Sequence, residues 1–187
     1  MAIDLDALNR ARSDLLFGVR RSVRYHARRR RHFDRFHRCV TFLALLFGSA
    51  TFAALIGKLE SEWIALGASA IVAISAALDL VIGSTTRARD HHDFERKWIA
   101  LERELIRAGD YDAEKQAVFI EKRLAIEAEE EPPMRVLDIL CHNELVRSMN
   151  RDDDRYKVGP LQRMLSQWID WRPDTVEKLN REAPQAR

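Results

Sequence analysis

CVTFLALLFGSATFAALIG, residues 39–57, holds nineteen residues without one charged side chain. As a helix it is about 28 Å long, against roughly 30 Å of hydrocarbon in a bilayer. After a five-residue connector, WIALGASAIVAISAALDLVIG, residues 63–83, is interrupted only by Asp79, and its helical length is about 31 Å. Neither segment keeps the polar face of an ordinary amphipathic helix. The expected fold is therefore all-α, a two-transmembrane-helix hairpin with long cytoplasmic helical extensions. A hairpin buried in a soluble core would need cover on every side, and a chain of 187 residues has too little other apolar surface to provide it. A cleaved secretory signal is not expected either, because the first apolar run starts only at residue 39 and is followed at once by a second.

The flanks set an orientation. Residues 20–38 carry nine Arg, and Arg87, Arg89, Arg96 and Lys97 follow the second run, whereas the connector KLESE, residues 58–62, has one Lys. The positive-inside bias places both termini in the cytoplasm, with KLESE outside. Trp63 stands where an interfacial anchor belongs. This divides the chain into a basic N-terminal helix (1–38), a first span (39–57), an external loop (58–62), a second span (63–86), a cytoplasmic helical bundle (87–150) and a short helix with a polar tail (151–187). Mean hydropathy of -0.33 conceals this division, since a long charged portion is averaged with a short apolar one. Cys39 and Cys141 both fall on the cytoplasmic side, so no structural disulfide is expected.

Arg21, Arg24, Arg28, Arg31, Arg35 and Arg38 recur at intervals of 3 and 4, along one side of a helix entering the first span. Three readings fit this stripe: attraction to anionic headgroups at about 1 kcal/mol per residue, pairing with Asp90, Asp93 and Glu95, or nucleic acid. The last is disfavoured, because residues 87–187 carry 22 acidic against 19 basic side chains. Ser49, Ala53 and Gly57 on the first run, and Ala65, Ser69, Ala73 and Ala77 on the second, form rows of small side chains that allow close helix approach. Their minimum use is packing within the hairpin. Two spans cannot enclose a pore alone, so any channel requires a homo-oligomer. Asp79, about 24 Å of helix from Trp63, lies near the cytoplasmic boundary, either as an interfacial carboxylate beside Arg38 or as a pore-lining or gating group.

Beyond the spans the period is helical. Phe94, Trp98, Leu101, Leu105 and Ala108 form one seam, which continues the second span as a helix. Asp112 caps a second helix with Ala113, Ala117, Ile120 and Leu124 on one face, ended by Pro132 and Pro133. Met134, Leu137, Cys141, Leu145 and Ser148 form a third seam; a weaker element covers 160–171, and 173–187 reads as polar and frayed. No segment alternates with period two. There is no nucleophile elbow, phosphate loop or zinc spacing, so the sequence offers no catalytic, cofactor-binding or metal set and does not read as an enzyme.

YHARRRRHFDRFHR at 25–38, DLV near the end of the second run, ARDHHDFERKWIALE after it, and IEAEEEPPMRVLDILCHNEL later in the chain resemble the SLATT group. These are the SMODS and SLOG-associating two-transmembrane effectors of bacteria. The resemblance covers roughly residues 12–150, and Glu127, Pro132, Asn143 and Glu144 match its motif after the hairpin. It implies a bacterial conflict effector that perforates or perturbs the membrane when a partner sensor or nucleotide-signalling protein activates it. No nucleotide-generating or nucleotide-sensing domain is recognisable in the chain, so a trigger is expected either from another protein or by binding to the helical portion itself. On the residues alone, Glu127, Pro132, Asn143 and Glu144 read as a helix boundary and ties between the third seam and its neighbours.

Overall fold

The computed structural model describes residues 5–56 and 62–179, and they are mostly helical. In order come α1 (Leu5–Ile56), α2 (Glu62–Ile82), α3 (Ser84–Arg107), α4 (Ala113–Glu127) and α5 (Arg135–Ser148). They are followed by β1 (Tyr156–Lys157), α6 (Pro160–Leu165) and β2 (Glu177–Lys178). The chain divides into two compact units, Arg29–His91 and the remainder. Gly57, most of the KLESE connector and the end of the polar tail lie outside the described residues.

The Arg29–His91 unit is built from the greater part of α1, all of α2 and the first turns of α3. His37 meets Asp79, Phe33 stacks on His91, and Arg29 also reaches His91, so the partners run in opposite chain directions and the helices are antiparallel. The inward face of α2 is Ala65, Ala68, Val72, Ser75 and Asp79, spaced 3, 4, 3 and 4. That corrects the packing expected of the small row: Ser69, Ala73 and Ala77 are exposed, and in-chain contact falls one step round the helix. Ser49 and Ala53 on α1 are exposed too. The Ser49 and Ser69 hydroxyls donate back to the Leu45 and Ala65 carbonyls at 2.6 and 2.8 Å, which satisfies them within their own helices.

The seam running into α3 was expected to continue the second span without a break. The structure interrupts it at Gly83, whose φ of +65° is a left-handed conformation that glycine adopts without penalty. Gly83 N still donates to Asp79 O at 2.9 Å and Arg87 N to Gly83 O at 2.9 Å, so hydrogen bonding persists through the bend.

In the other unit, Leu15 and Val19 of α1 pack with Trp98, Leu101 and Leu105 of α3 and Phe119 of α4. Arg12 donates to the Leu105 and Ala108 carbonyls, both at 2.8 Å, which satisfies the acceptors left at the α3 terminus. Asp112 caps α4 by accepting from Lys115 N at 2.7 Å. The α4 face read from its aliphatic spacing is not the buried one, however. Ala113, Ala117, Ile120 and Leu124 are exposed, while Phe119 is buried and Gln116, Arg123 and Ile126 flank it. One aromatic ring and long amphipathic stems outweigh four smaller side chains in choosing the face.

A second cluster joins Tyr25 of α1 to Leu137 and Cys141 of α5, with the Tyr25 hydroxyl accepting from Met134 N at 3.1 Å. The tail past α5 is more ordered than expected. β1 and β2 pair antiparallel, Tyr156 opposite Lys178 and Lys157 opposite Glu177, and two residues are too few to show alternation in sequence.

Candidate functional site

Two helices are long and apolar enough to cross a membrane, and only 6% of each apolar window is buried. Among the described residues of this unit, twelve large hydrophobic side chains are exposed, from Phe42, Leu45, Leu46 and Phe52 on α1 to Trp63, Ile74, Leu80 and Val81 on α2. Leaving such groups in water forfeits about 1.5 kcal/mol each at the lower end, which for twelve is on the order of 20 kcal/mol and exceeds the net stability of most domains. Among the described residues nothing covers these side chains, so burial within this chain's own core does not account for their apolarity.

The polar feature of this surface is a pair. His37 Nδ1 lies 2.8 Å from Asp79 Oδ2, so His37, and not Arg38, is the described partner of the carboxylate. Arg38 is exposed and donates to the Asp34 carbonyl of its own helix at 3.2 Å. Asp79 Oδ1 and the Ser84 hydroxyl are both buried, and the Ser84 hydroxyl faces the Asp79 carboxyl. At the end of the unit, Arg29 lies 4.6 Å over the Phe33 ring and Arg87 5.8 Å from the same ring.

The arginine stripe is put to two uses. Arg21 reaches Asp138 at 3.1 Å and Arg28 pairs with Glu144, so these two tie α1 to α5. Arg24 donates to the Arg20 carbonyl at 3.3 Å, and Arg20 pairs with Glu102 at 2.8 Å. Arg31, Arg35 and Arg38 are exposed. Burial holds the Asp138 carboxyl above the usual carboxylate range, despite the opposing charge of Arg21.

The residues Glu127, Pro132, Asn143 and Glu144 do not converge on one point. Glu127 accepts from Arg123 at 2.8 Å one turn away, and Pro132 lies in the connector between α4 and α5. Asn143 donates to Tyr156 O at 2.7 Å and accepts from Tyr156 N at 2.8 Å, clamping β1. Sequence reading missed Asp170, which accepts from the backbone N–H groups of Arg135 and Val136 at 2.8 and 3.1 Å and so caps α5 from the tail. His26, whose spacing from His32 and His37 reads as that of a surface histidine, is instead buried and with Trp98 meets the Glu130 carboxylate. The spacing between these partners carries no local signal. Among the described residues no group of three or more His, Cys, Asp or Glu side chains could hold a metal ion. Comparison with protein-family models, curated proteins and solved structures finds no match.

Proposed function

We propose that the chain is an integral membrane effector of the SLATT kind, seated in the bacterial inner membrane with both termini cytoplasmic. Its apolar helices form a transmembrane hairpin, and several copies associate to open a permeation path or disorder the bilayer. The observation that carries this reading is the uncovered surface of α2 and the second half of α1, which water cannot solvate favourably and lipid can. The outward row Ser69, Ala73 and Ala77 supplies a surface for close association of copies, since the described residues leave it exposed. The His37 and Asp79 pair is the gating element, a polar contact at the span boundary. Arg31, Arg35 and Arg38 meet anionic headgroups. A sensor or nucleotide-signalling protein supplies the trigger.

Expression in bacteria with a membrane-potential dye tests the reading. Depolarisation and arrested growth are expected, and both should vanish in Asp79→Asn and Ala73→Leu variants. Intact polarisation and normal growth at high expression, with the neighbouring genes present, refutes it. A second reading is favoured by the exposed aliphatic face of α4, Ile120 and Leu124 with Val118 beside them. There the hairpin anchors a helical platform for another protein, and partner capture survives both variants.

A further inference from the structure

Outside the membrane-facing unit, α1, α5, α6 and the segment joining the last two enclose a cavity of about 260 Å³. Arg28, Arg147, Arg155 and Arg163 line it, and Glu144 is the single carboxylate in its wall. The lining therefore carries a net charge of +3. Like charges gathered in a partly enclosed space repel one another more strongly than in open water. Arg28 is matched by Glu144. Arg147 and Arg163 are exposed and make no ion pair or side-chain hydrogen bond with any described residue.

The wall is built deliberately from distant residues. Arg147 lies on α5, Arg155 on the segment just before β1 and Arg163 on α6, so no face of a single element brings them together. They converge because α5 holds the following segment at two successive points. His142 Nε2 bonds the Asp154 carbonyl at 3.0 Å, and Asn143 clamps both backbone groups of Tyr156. Arg155, lying between those two points, is thereby set into the cavity wall.

From this arrangement we propose that the cavity binds a small phosphate-bearing ligand through Arg147 and Arg163, with Arg155 and Arg28 completing the cationic wall. Guanidinium forks match phosphate oxygens in bidentate fashion, which a lysine cluster would not do. A terminal phosphate carries about -1.5 to -2 charge and three acceptor oxygens, which suits several donors at once. The volume is just under the roughly 300 Å³ at which drug-sized sites begin, so the occupant is no larger than about a mononucleotide. The site is independent of whether the hairpin permeabilises a membrane.

The phosphate can be that of a soluble ester or of a lipid headgroup, and the test separates them. The full chain is reconstituted in nanodiscs of zwitterionic phosphatidylcholine. It is titrated by calorimetry with inorganic phosphate, pyrophosphate and AMP at constant ionic strength set with chloride. A parallel series uses nanodiscs doped with phosphatidic acid and follows thermal stabilisation. The paired variant Arg147→Gln with Arg163→Gln removes two exposed charges that no described residue needs, so its ligand-free melting temperature is expected to match the parent. Saturable binding of a soluble phosphate that weakens at least about tenfold in the variant establishes the site with a soluble ligand. Stabilisation only by phosphatidic acid, lost in the variant, establishes it with a lipid ligand. Absence of saturable binding and of stabilisation in every arm overturns the proposal, as does a variant that responds as strongly as the parent.

Discussion

Arg21 and Arg28 lie seven residues apart on α1 and meet Asp138 and Glu144, six apart on α5. Pairing with Asp90, Asp93 and Glu95 is one of three readings of the stripe; Arg21 and Arg28 have more distant partners because α5 packs beside α1 through Tyr25, Leu137 and Cys141. The same packing sets two residue-level outcomes. Burial pushes the Cys141 thiol up to about 12, whereas Cys39 is exposed. At pH 8 a maleimide should therefore label Cys39 in the detergent-solubilised protein and leave Cys141 unmodified until urea is added, as intact-mass spectrometry would show. Asp138 has a folded-state pKa raised above its ordinary value of 3.8, so its contribution to stability is complete below that value and is lost as pH rises through the folded pKa. The Asp138→Asn variant lacks that loss. Urea midpoints measured for both proteins should show it gaining on the parent between pH 4 and pH 7, and a constant difference would contradict the burial argument.

At the scale of elements, three features are held by single residues. Asp170 caps α5, whose own N-cap residue Met134 offers no side-chain acceptor. Asp170→Ala should cost about 1 kcal/mol, read as a lowered melting temperature with unchanged helical content at room temperature. Asn143→Ala removes both bonds to Tyr156 and should cost about 2 kcal/mol, because a backbone donor and acceptor lose their partner together. Gly83→Ala forces a Cβ into a left-handed conformation with φ of +65°. It should lower the melting temperature by the equivalent of about 1 kcal/mol even though no atom blocks the added methyl. Full stability in that variant would mean that the bend between α2 and α3 relaxes at no cost. The aliphatic face of α4 adds a lesson about periodicity: spacing alone found a stripe, Ile120 with Leu124, but the helix turned its aromatic Phe119 inward.

For the whole molecule, solvent is the controlling variable. Twelve exposed large hydrophobics among the described residues of the Arg29–His91 unit predict that the purified chain aggregates when detergent falls below its critical micelle concentration. It should instead float with phosphatidylcholine vesicles in a density gradient. A monodisperse monomer in plain buffer would refute the membrane reading outright. The proposed orientation has its own test: replacing Arg28, Arg31 and Arg35 together by Glu should invert or scramble the topology. Cysteines placed in the KLESE connector and mapped by an impermeant reagent check that outcome.

Sequence alone determined the helical class, the two apolar runs, the Asp112 cap, and the seams through Trp98, Leu101 and Leu105 and through Leu137, Cys141 and Leu145, because each follows from periodicity or capping within a few residues. Tertiary structure alone decided which carboxylates the arginines meet, that His37 and not Arg38 reaches Asp79, and which faces of α2 and α4 turn inward. It also brought Arg147, Arg155 and Arg163 to one cavity. The physical reason is range: helix formation is written in neighbours three and four residues apart, whereas ion pairs, caps from a distant tail and cavity walls depend on contacts between segments that no local pattern records.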